Sequence, residues 1–376
     1  MKVALLTGAF KNAGDYLITE RTESLLMYRY PMAKIIKYER NCNLDPSLKS
    51  LNENDVVVFA GGPGLISHMY PEKFPLTTKL NEIVPPMFVL GMGCKTKNEN
   101  VKRISFTSQS KQLIERLYSD GFHLGCRDNL TYQVLERSGL KRTIMTGCPA
   151  WYDLNYIHQN NLFTAPEEGK INKIAISDPG NVANIQLAAN IVALCKKRYK
   201  PDVIVFVFHR GWNKDKYTSD DVASKQQVLR DWLVDNNVKV VDASYSSKGF
   251  TEYDDSDLHI GFRVHAHIYC LSRKLPSFLI EEDGRGFGVN ETLGLAHIRP
   301  RKVDSFLRTV WQFQKVTFEY LSTISRDSQD TFSLLDDAIE SEITSGWEKH
   351  HRAFATMEKT FEVMCSHIDE ISVVAN

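Results

Sequence analysis

Arg263 and His265 stand where a strand-like apolar run gives way to a helix-like one, in the stretch DLHIGFRVHAHIYCLSRKLPSFLIEED. A second apolar run ends in Glu281, Glu282 and Asp283 and turns through EEDGRGFG. Arg263, His265 and Arg285 could therefore converge on one anion at adjacent strand ends. Arginine presents a planar fork matched to carboxylate or phosphate. A histidine titrating near neutrality is suited to proton transfer. His267, two residues on, would face elsewhere on a helix and reads as structural. Glu281 and Glu282 read as charged loop residues.

Four other loops end apolar runs with polar groups. In TGAFKNAGDYL, the small residues Gly8, Ala9, Ala13 and Gly14 would let backbone amides approach a ligand, and Asp15 can cap the following helix. The same residues also suit a plain tight turn, and they match neither a dinucleotide fingerprint nor a phosphate-binding P-loop. In FAGGPGLIS, Gly61, Gly62 and Gly64 permit positive φ and close backbone approach, whether for a ligand or for a structural turn. In GCRDNLTYQVLE, Asp128 reads as an N-cap. Arg127, placed after a buried strand, is costly unless it is paired or binds an anion. In VFVFHRGWNKD, His209 and Arg210 read either as ligand contacts or as an interdomain hydrogen-bonding pair.

The elements that must position these loops alternate between short apolar strands and amphipathic helices. Continuous rather than alternating apolar runs mark strands covered on both faces, hence parallel sheets in a doubly wound α/β chain. Two such series are expected, 1–155 and 171–300, with an Asn-, Pro- and Glu-rich linker over 156–170. From about 301 the strand signal stops, and a helical tail over 301–376 is expected to pack across both domains without supplying catalytic groups. Its motivation is the spacing of Phe306, Val310, Phe313 and Val316, with Trp311 and Phe318 widening the face. His350 and His351 lie in a charged run and read as solvated. Two Rossmann-like domains facing across a cleft make a glycosyltransferase-B-type architecture, in which ligands bind at the carboxyl ends of strands.

Composition narrows the class. At 376 residues the chain exceeds one ordinary core. Lys plus Arg equals Asp plus Glu, 46 against 46, so nothing favours nucleic-acid binding, although a local basic groove could take a small anion. The seven cysteines form no CxxC pair and read as buried thiols in a reducing compartment. Neither a metal-ligand cluster nor a cofactor motif stands out. No run approaches a signal segment or membrane span, so a cytoplasmic protein is expected.

NAGDYLI, GGPG, CRD, TGCPA and above all GFRVHAHIYCLSRKLPSFLIEEDGRGFG resemble the polysaccharide pyruvyltransferase family. The matched motifs run in order from residue 12 to about 288, roughly three quarters of the chain. Arg285 stands where many members carry Lys, which keeps the charge and changes the geometry. The resemblance implies transfer of a pyruvyl group from phosphoenolpyruvate to a sugar diol, forming a cyclic ketal and releasing phosphate, with no cofactor. It places Arg263 and Arg127 on the donor-binding arginines and His265 on the acid. The acceptor is open between a lipid-linked unit, a nucleotide sugar and a finished polymer. A lipid-linked acceptor would bring the protein to the inner membrane face, and a homo-oligomer is compatible with the sequence. A nucleotide-sugar glycosyltransferase of the same fold, or a non-catalytic glycan- or partner-binding member, are the rival readings.

Overall fold

The computed structural model describes residues 1–95, 103–159, 163, 165, 166, 170–300 and 316–374. The first sheet contains β1 (Lys2–Thr7), β2 (Lys34–Glu39), β3 (Val56–Phe59), β4 (Gly62–Leu65), β5 (Met87–Cys94), β6 (Leu124–Cys126) and β7 (Thr143–Met145). Its order is β2-β1-β3-β5-β6-β7, with β4 alongside β5. The second contains β8 (Lys173–Ser177), β9 (Val203–Phe208), β10 (Lys239–Asp242), β11 (Leu258–Gly261) and β12 (Ser277–Leu279), ordered β10-β9-β8-β11-β12. Every pairing in both sheets is parallel. The central β3, reading VVVF, is buried at every position, as a strand covered on both faces requires. The stretch read as a glycine turn at residues 62–65 is itself a short strand.

Helices α1 (Ala13–Arg29), α2 (Leu48–Leu51), α3 (Ser108–Ser119), α4 (Asn129–Arg137), α5 (Ile185–Tyr199), α6 (Asp220–Asp235), α7 (Val264–Ser272) and α8 (Gly284–Leu293) fill the crossovers. The halves share an apolar core: Leu5 and Leu17 belong to one buried cluster with Trp151, Tyr152, Ala266 and Ile268. Backbone bonds also join their carboxyl-end loops. Ala13 N–H donates to the His209 carbonyl (2.9 Å), and Tyr245 N–H to that of Lys11 (2.8 Å). Lys11 Nζ reaches across to Asp215 (2.5 Å) and Thr218 (2.6 Å).

The tail forms α9 (Phe318–Ser322), α10 (Arg326–Thr344) and α11 (Glu348–Val374). Phe306, Val310, Trp311 and Phe313 lie outside the described residues. Val316 packs on the second core, whereas Phe318 is 43% exposed and widens no buried face. Helix α11 straps both halves. Arg29 of α1 forks onto Asp369 (2.8 and 2.6 Å), His367 Nε2 lies 3.0 Å from the Val89 carbonyl, and Lys274 pairs with Glu358 (2.8 Å). Its inner face buries Met357, Phe361, Met364 and Ile368. Among the described residues no helix is long and apolar enough to cross a membrane.

Two sequence readings need correction. Cys42 is exposed, and only the other six cysteines are buried. His350 is not solvated: it is 1% exposed, with Nδ1 2.6 Å from Glu342, itself 1% exposed, and Nε2 3.2 Å from the Ser277 backbone of β12. The charged run wraps a helix, and its periodicity turns His350 inward while His351 stays outside. Removing the imidazole would leave the buried Glu342 carboxylate short of a hydrogen-bond partner, at a cost of ~1–3 kcal/mol. His350→Ala is therefore expected to lower the unfolding free energy in urea by that amount. A loss below ~1 kcal/mol, the scale of an exposed pair, would contradict the burial.

Candidate active site

The site begins where β11 meets β8. Gly261 closes β11 against Ser177, whose backbone N would lie 2.7 Å from any added Cβ, so the strands approach there only because residue 261 has no side chain. Two residues on, Arg263 occupies the N-cap position of α7. Its Nε and Nη2 donate to the two oxygens of Asp178, at 2.7 and 2.5 Å. Asp178 follows β8, is fully buried, and also accepts the His209 backbone N–H at 3.0 Å. One carboxylate thus ties the ends of β8, β9 and β11.

His265 sits in the first turn of α7 with its ring against Gly14. A Cβ on Gly14 would fall inside van der Waals contact of His265 Nδ1, so helix α1 can approach only through a glycine. His265 is half-buried. Burial holds its pKa well below the usual histidine value, and Arg285 and Arg127, then His209 and Arg263, push the same way. The free protein therefore holds His265 as a neutral imidazole, not as the near-neutral titrating group expected from its type.

Arg127 follows β6, is 2% exposed, and is packed against Gly93. Its Nε donates to Asp128 (2.9 Å) and its Nη2 to the Cys94 carbonyl (3.4 Å). Asp128 caps α4 as its position implies, accepting from Thr131 N–H at 2.7 Å. Arg285 opens α8 and forks onto Asp283, with Nε at 3.0 Å from both oxygens and Nη2 at 2.7 Å from one. The three arginines share one arrangement. The Nε and Nη2 edge is anchored within the protein, and Nη1 has no hydrogen-bond acceptor among the described residues.

His209 Nε2 pairs with the Tyr253 hydroxyl (2.8 Å), and its carbonyl makes the interdomain bond to Ala13. Arg210 donates to the Tyr217 carbonyl (3.1 Å) and closes its own loop. His267 is structural, with Nδ1 2.7 Å from Ser277 Oγ. Asp15 does not cap α1. The helix starts at Ala13 with Asn12 at the cap position, and Asn12 Nδ2 reaches Asp15 at 3.2 Å. Burial raises the Asp15 carboxyl, opposed by Arg40, Asn12, Arg210 and Lys73. Gly61 gives its carbonyl to Arg40 Nη1 (2.6 Å), and Gly62, at φ +89°, lies against the same guanidinium.

Glu281 and Glu282 are not loose loop charges. Glu281 is buried and accepts from Asn290 (2.9 Å) and Arg299 (2.9 Å). Glu282 caps the loop after β8 through Gly180 N–H (2.7 Å), Asn181 N–H (3.0 Å) and Asn184 Nδ2 (2.7 Å). Gly14 thus abuts His265, and Arg285, Arg127, His209 and Arg263 lie within electrostatic reach of it. Asp15, Gly61 and Gly62 face Arg40 instead. Sequence reading missed Asp178 and Arg40. Asp178 directly follows the buried strand KIAIS, where the rule that selected Arg127 would have found it, whereas Arg40 follows KIIKYE, a strand with no buried residue, which that rule does not reach.

Two all-parallel α/β halves whose carboxyl-end loops meet at one polar cluster define a glycosyltransferase-B-type protein. The same fold occurs in the S. aureus MnaA–UDP co-structure, at TM-score 0.53 and 11% identity, covering 99% of this chain and 97% of that one. It occurs also in a glycosyltransferase from Rickettsia africae ESF-5, at TM-score 0.53 and 11% identity, covering 99% and 98%. At such identities the likeness is one of fold. Comparison with curated proteins finds no match. Residues 12–284 match the family model for polysaccharide pyruvyl transferase, and the chain belongs to that family of transferases.

The buried histidines make stability pH-dependent. Burial is the leading cause that lowers His209, His265 and His267 well below 6.5, and His259 to about 3. Unfolding returns each to ~6.5. Above that value neither state is protonated and the native state keeps its full stability. Below it the unfolded chain binds protons that the native state refuses, so stability falls with pH, by ~1.4 kcal/mol per pH unit for each histidine. Unfolding free energy in urea is expected to drop steeply between about pH 6.5 and 5, above the usual carboxylate range. A flat profile across that window would show that these imidazoles are protonated in the native state.

Proposed function

We propose that the protein transfers the pyruvyl group of phosphoenolpyruvate to two hydroxyls of a sugar in a cell-surface polysaccharide precursor, forming a pyruvate ketal and releasing phosphate. The observation that carries this reading is the convergence of three anchored arginine forks, each with Nη1 unpartnered among the described residues, on one neutral imidazole. Phosphoenolpyruvate is a small trianion with a carboxylate and a phosphate, and the Arg127, Arg263 and Arg285 forks would hold both. Their own carboxylates weaken the attraction but lock the geometry, so little side-chain freedom remains to be lost on binding.

The chemistry follows from charge. A bound trianion beside His265 favours its protonated form and offsets the burial that keeps it neutral. The imidazolium then protonates the methylene carbon, and positive charge develops at C2 beside the donor carboxylate. One sugar hydroxyl adds at C2, the C2–O bond to phosphate breaks, and the second hydroxyl closes the ketal. Of the two hydroxyl protons, one replaces the proton spent on the methyl group and the other leaves on hydrogen phosphate. The ketal retains one carboxylate, so the product sugar gains one negative charge. His265, neutral again after the first step, is placed to take a hydroxyl proton.

Two outcomes are expected. Calorimetric titration with phosphoenolpyruvate at pH 7.5, repeated in buffers of different ionisation enthalpy, should show proton uptake that His265→Gln abolishes while binding persists. Turnover of that variant should fall by at least ~10²-fold. Binding of UDP- or CMP-sugars with no response to phosphoenolpyruvate would transfer the assignment to a nucleotide-sugar glycosyltransferase. Second, Gly14→Ala should leave donor binding within a few-fold yet depress phosphate release by ~10²-fold, because the added methyl displaces the imidazole and a small misplacement of a reacting group is costly. Wild-type turnover in Gly14→Ala would remove His265 from the chemistry.

A further inference from the structure

A fourth arginine lies off the cluster and is held differently. Arg40 follows β2, is 4% exposed, and donates through Nη1 to the carbonyls of Ala60 and Gly61, both at 2.6 Å. In the three arginines around His265, the Nε and Nη2 edge is anchored on an aspartate, or on an aspartate and a carbonyl. In Arg40 that edge faces glycine. A Cβ on Gly8 would lie 2.8 Å from Nε and 2.7 Å from Nη2, and one on Gly62 would lie 3.1 Å from Nη2. Arg40 Nε is a buried donor with no acceptor among the described residues. Leaving such a donor unpaired is costly, more so for a charged group, so its persistence calls for a ligand.

A second cation lies within electrostatic reach of it. Lys73 is half-buried, makes no ion pair among the described residues, and feels the charges of Arg40, Asp15 and Lys95. The fork edge of one cation, the ammonium of another and two glycine turns without side chains are the components of a phosphate cradle. The first turn of α1 separates this cradle from the donor cluster: Gly14 abuts His265, while Asp15 faces Arg40 and Lys73.

From this geometry we infer that Arg40, Lys73 and the turns at Gly8 and Gly62 form a second phosphate subsite, which holds a phosphate or diphosphate esterified to the acceptor sugar while the donor occupies the His265 cluster. The word acceptor rests on the donor reading above, whereas the anion subsite does not. An acceptor anchored by its phosphate would lie across the end of α1, with its sugar directed toward His265. Asp15 would then border the sugar. A free, uncharged saccharide would forgo this anchor.

The test is a calorimetric titration with inorganic pyrophosphate, in wild type and in Lys73→Gln and Gly8→Ala, each with and without saturating phosphoenolpyruvate. Wild type is expected to bind pyrophosphate in both conditions. Each variant should bind it ~10-fold or more weakly, the loss of one charge-assisted hydrogen bond, while its affinity for phosphoenolpyruvate stays within a few-fold. Unchanged pyrophosphate affinity in both variants would overturn the subsite and leave Arg40 a loop anchor. Loss of pyrophosphate binding under saturating phosphoenolpyruvate would overturn the acceptor assignment, because the cradle would then be the donor's own. If phosphoenolpyruvate fails to bind at all, the donor reading falls, and the variants' response to pyrophosphate still decides the subsite. UDP binding tighter than pyrophosphate at the same variant-sensitive site would support a nucleotide-linked acceptor. Equal binding would support a carrier without a base.

Discussion

A single carboxylate without solvent contact, Asp178, organises the second half of the molecule. It accepts two bonds from Arg263 and one from the His209 backbone, so that three strand ends share one charge. Burying an ion pair gains little net stability, but separating one is expensive. The pair is therefore better understood as a fixture than as a source of stability. It sets the angle at which Arg263 leaves β11, and Arg263 sets the start of α7. From there the placement of His265 against Gly14 follows.

The same device recurs with different spacing. Arg127 is held by the residue after it and Arg285 by a residue two before it, whereas Arg263 is held from across the sheet. In each case a local or long-range anchor consumes one edge of the guanidinium and leaves the other end available. Pre-anchored forks suit recognition of a small anion with closely spaced charges, because arginine freedom is spent during folding rather than at binding. Burial first, and then the positive charge they place near the imidazole, hold His265 in its neutral form.

Rigid junctions support this arrangement. The loop from Lys11 to Ala13 is bonded to the second sheet, the two halves share an apolar cluster, and α11 runs along both. Among the described residues the tail carries none of the cluster's cations. Its buried Glu342 and His350 brace the backbone of β12, the strand whose end leads to Asp283 and Arg285. A segment remote from the chemistry in sequence is thus part of its scaffold.

The sequence by itself determined the class of fold and most of the cluster. Runs such as VVVF and VIVFVF mark strands covered on both faces, and parallel strands bring their carboxyl-end loops to one edge. Arg127 and Arg263 were legible because cations just after buried strands need a reason, and His265 and Arg285 because they open the helices that follow such strands. Tertiary structure alone decided what each of them touches. Asp178 and Arg263 lie 85 residues apart and meet because β8 and β11 are neighbours in the sheet, an order that local patterning does not encode. Arg40 follows a strand with no buried residue, so nothing local marks it, and only the approach of Gly8 and Gly62 shows a buried guanidinium with an unpaired Nε. His350 and Glu282 were misread for the same reason. Burial of a polar side chain depends on which distant segment covers it, whereas periodicity reports only the face on which it lies.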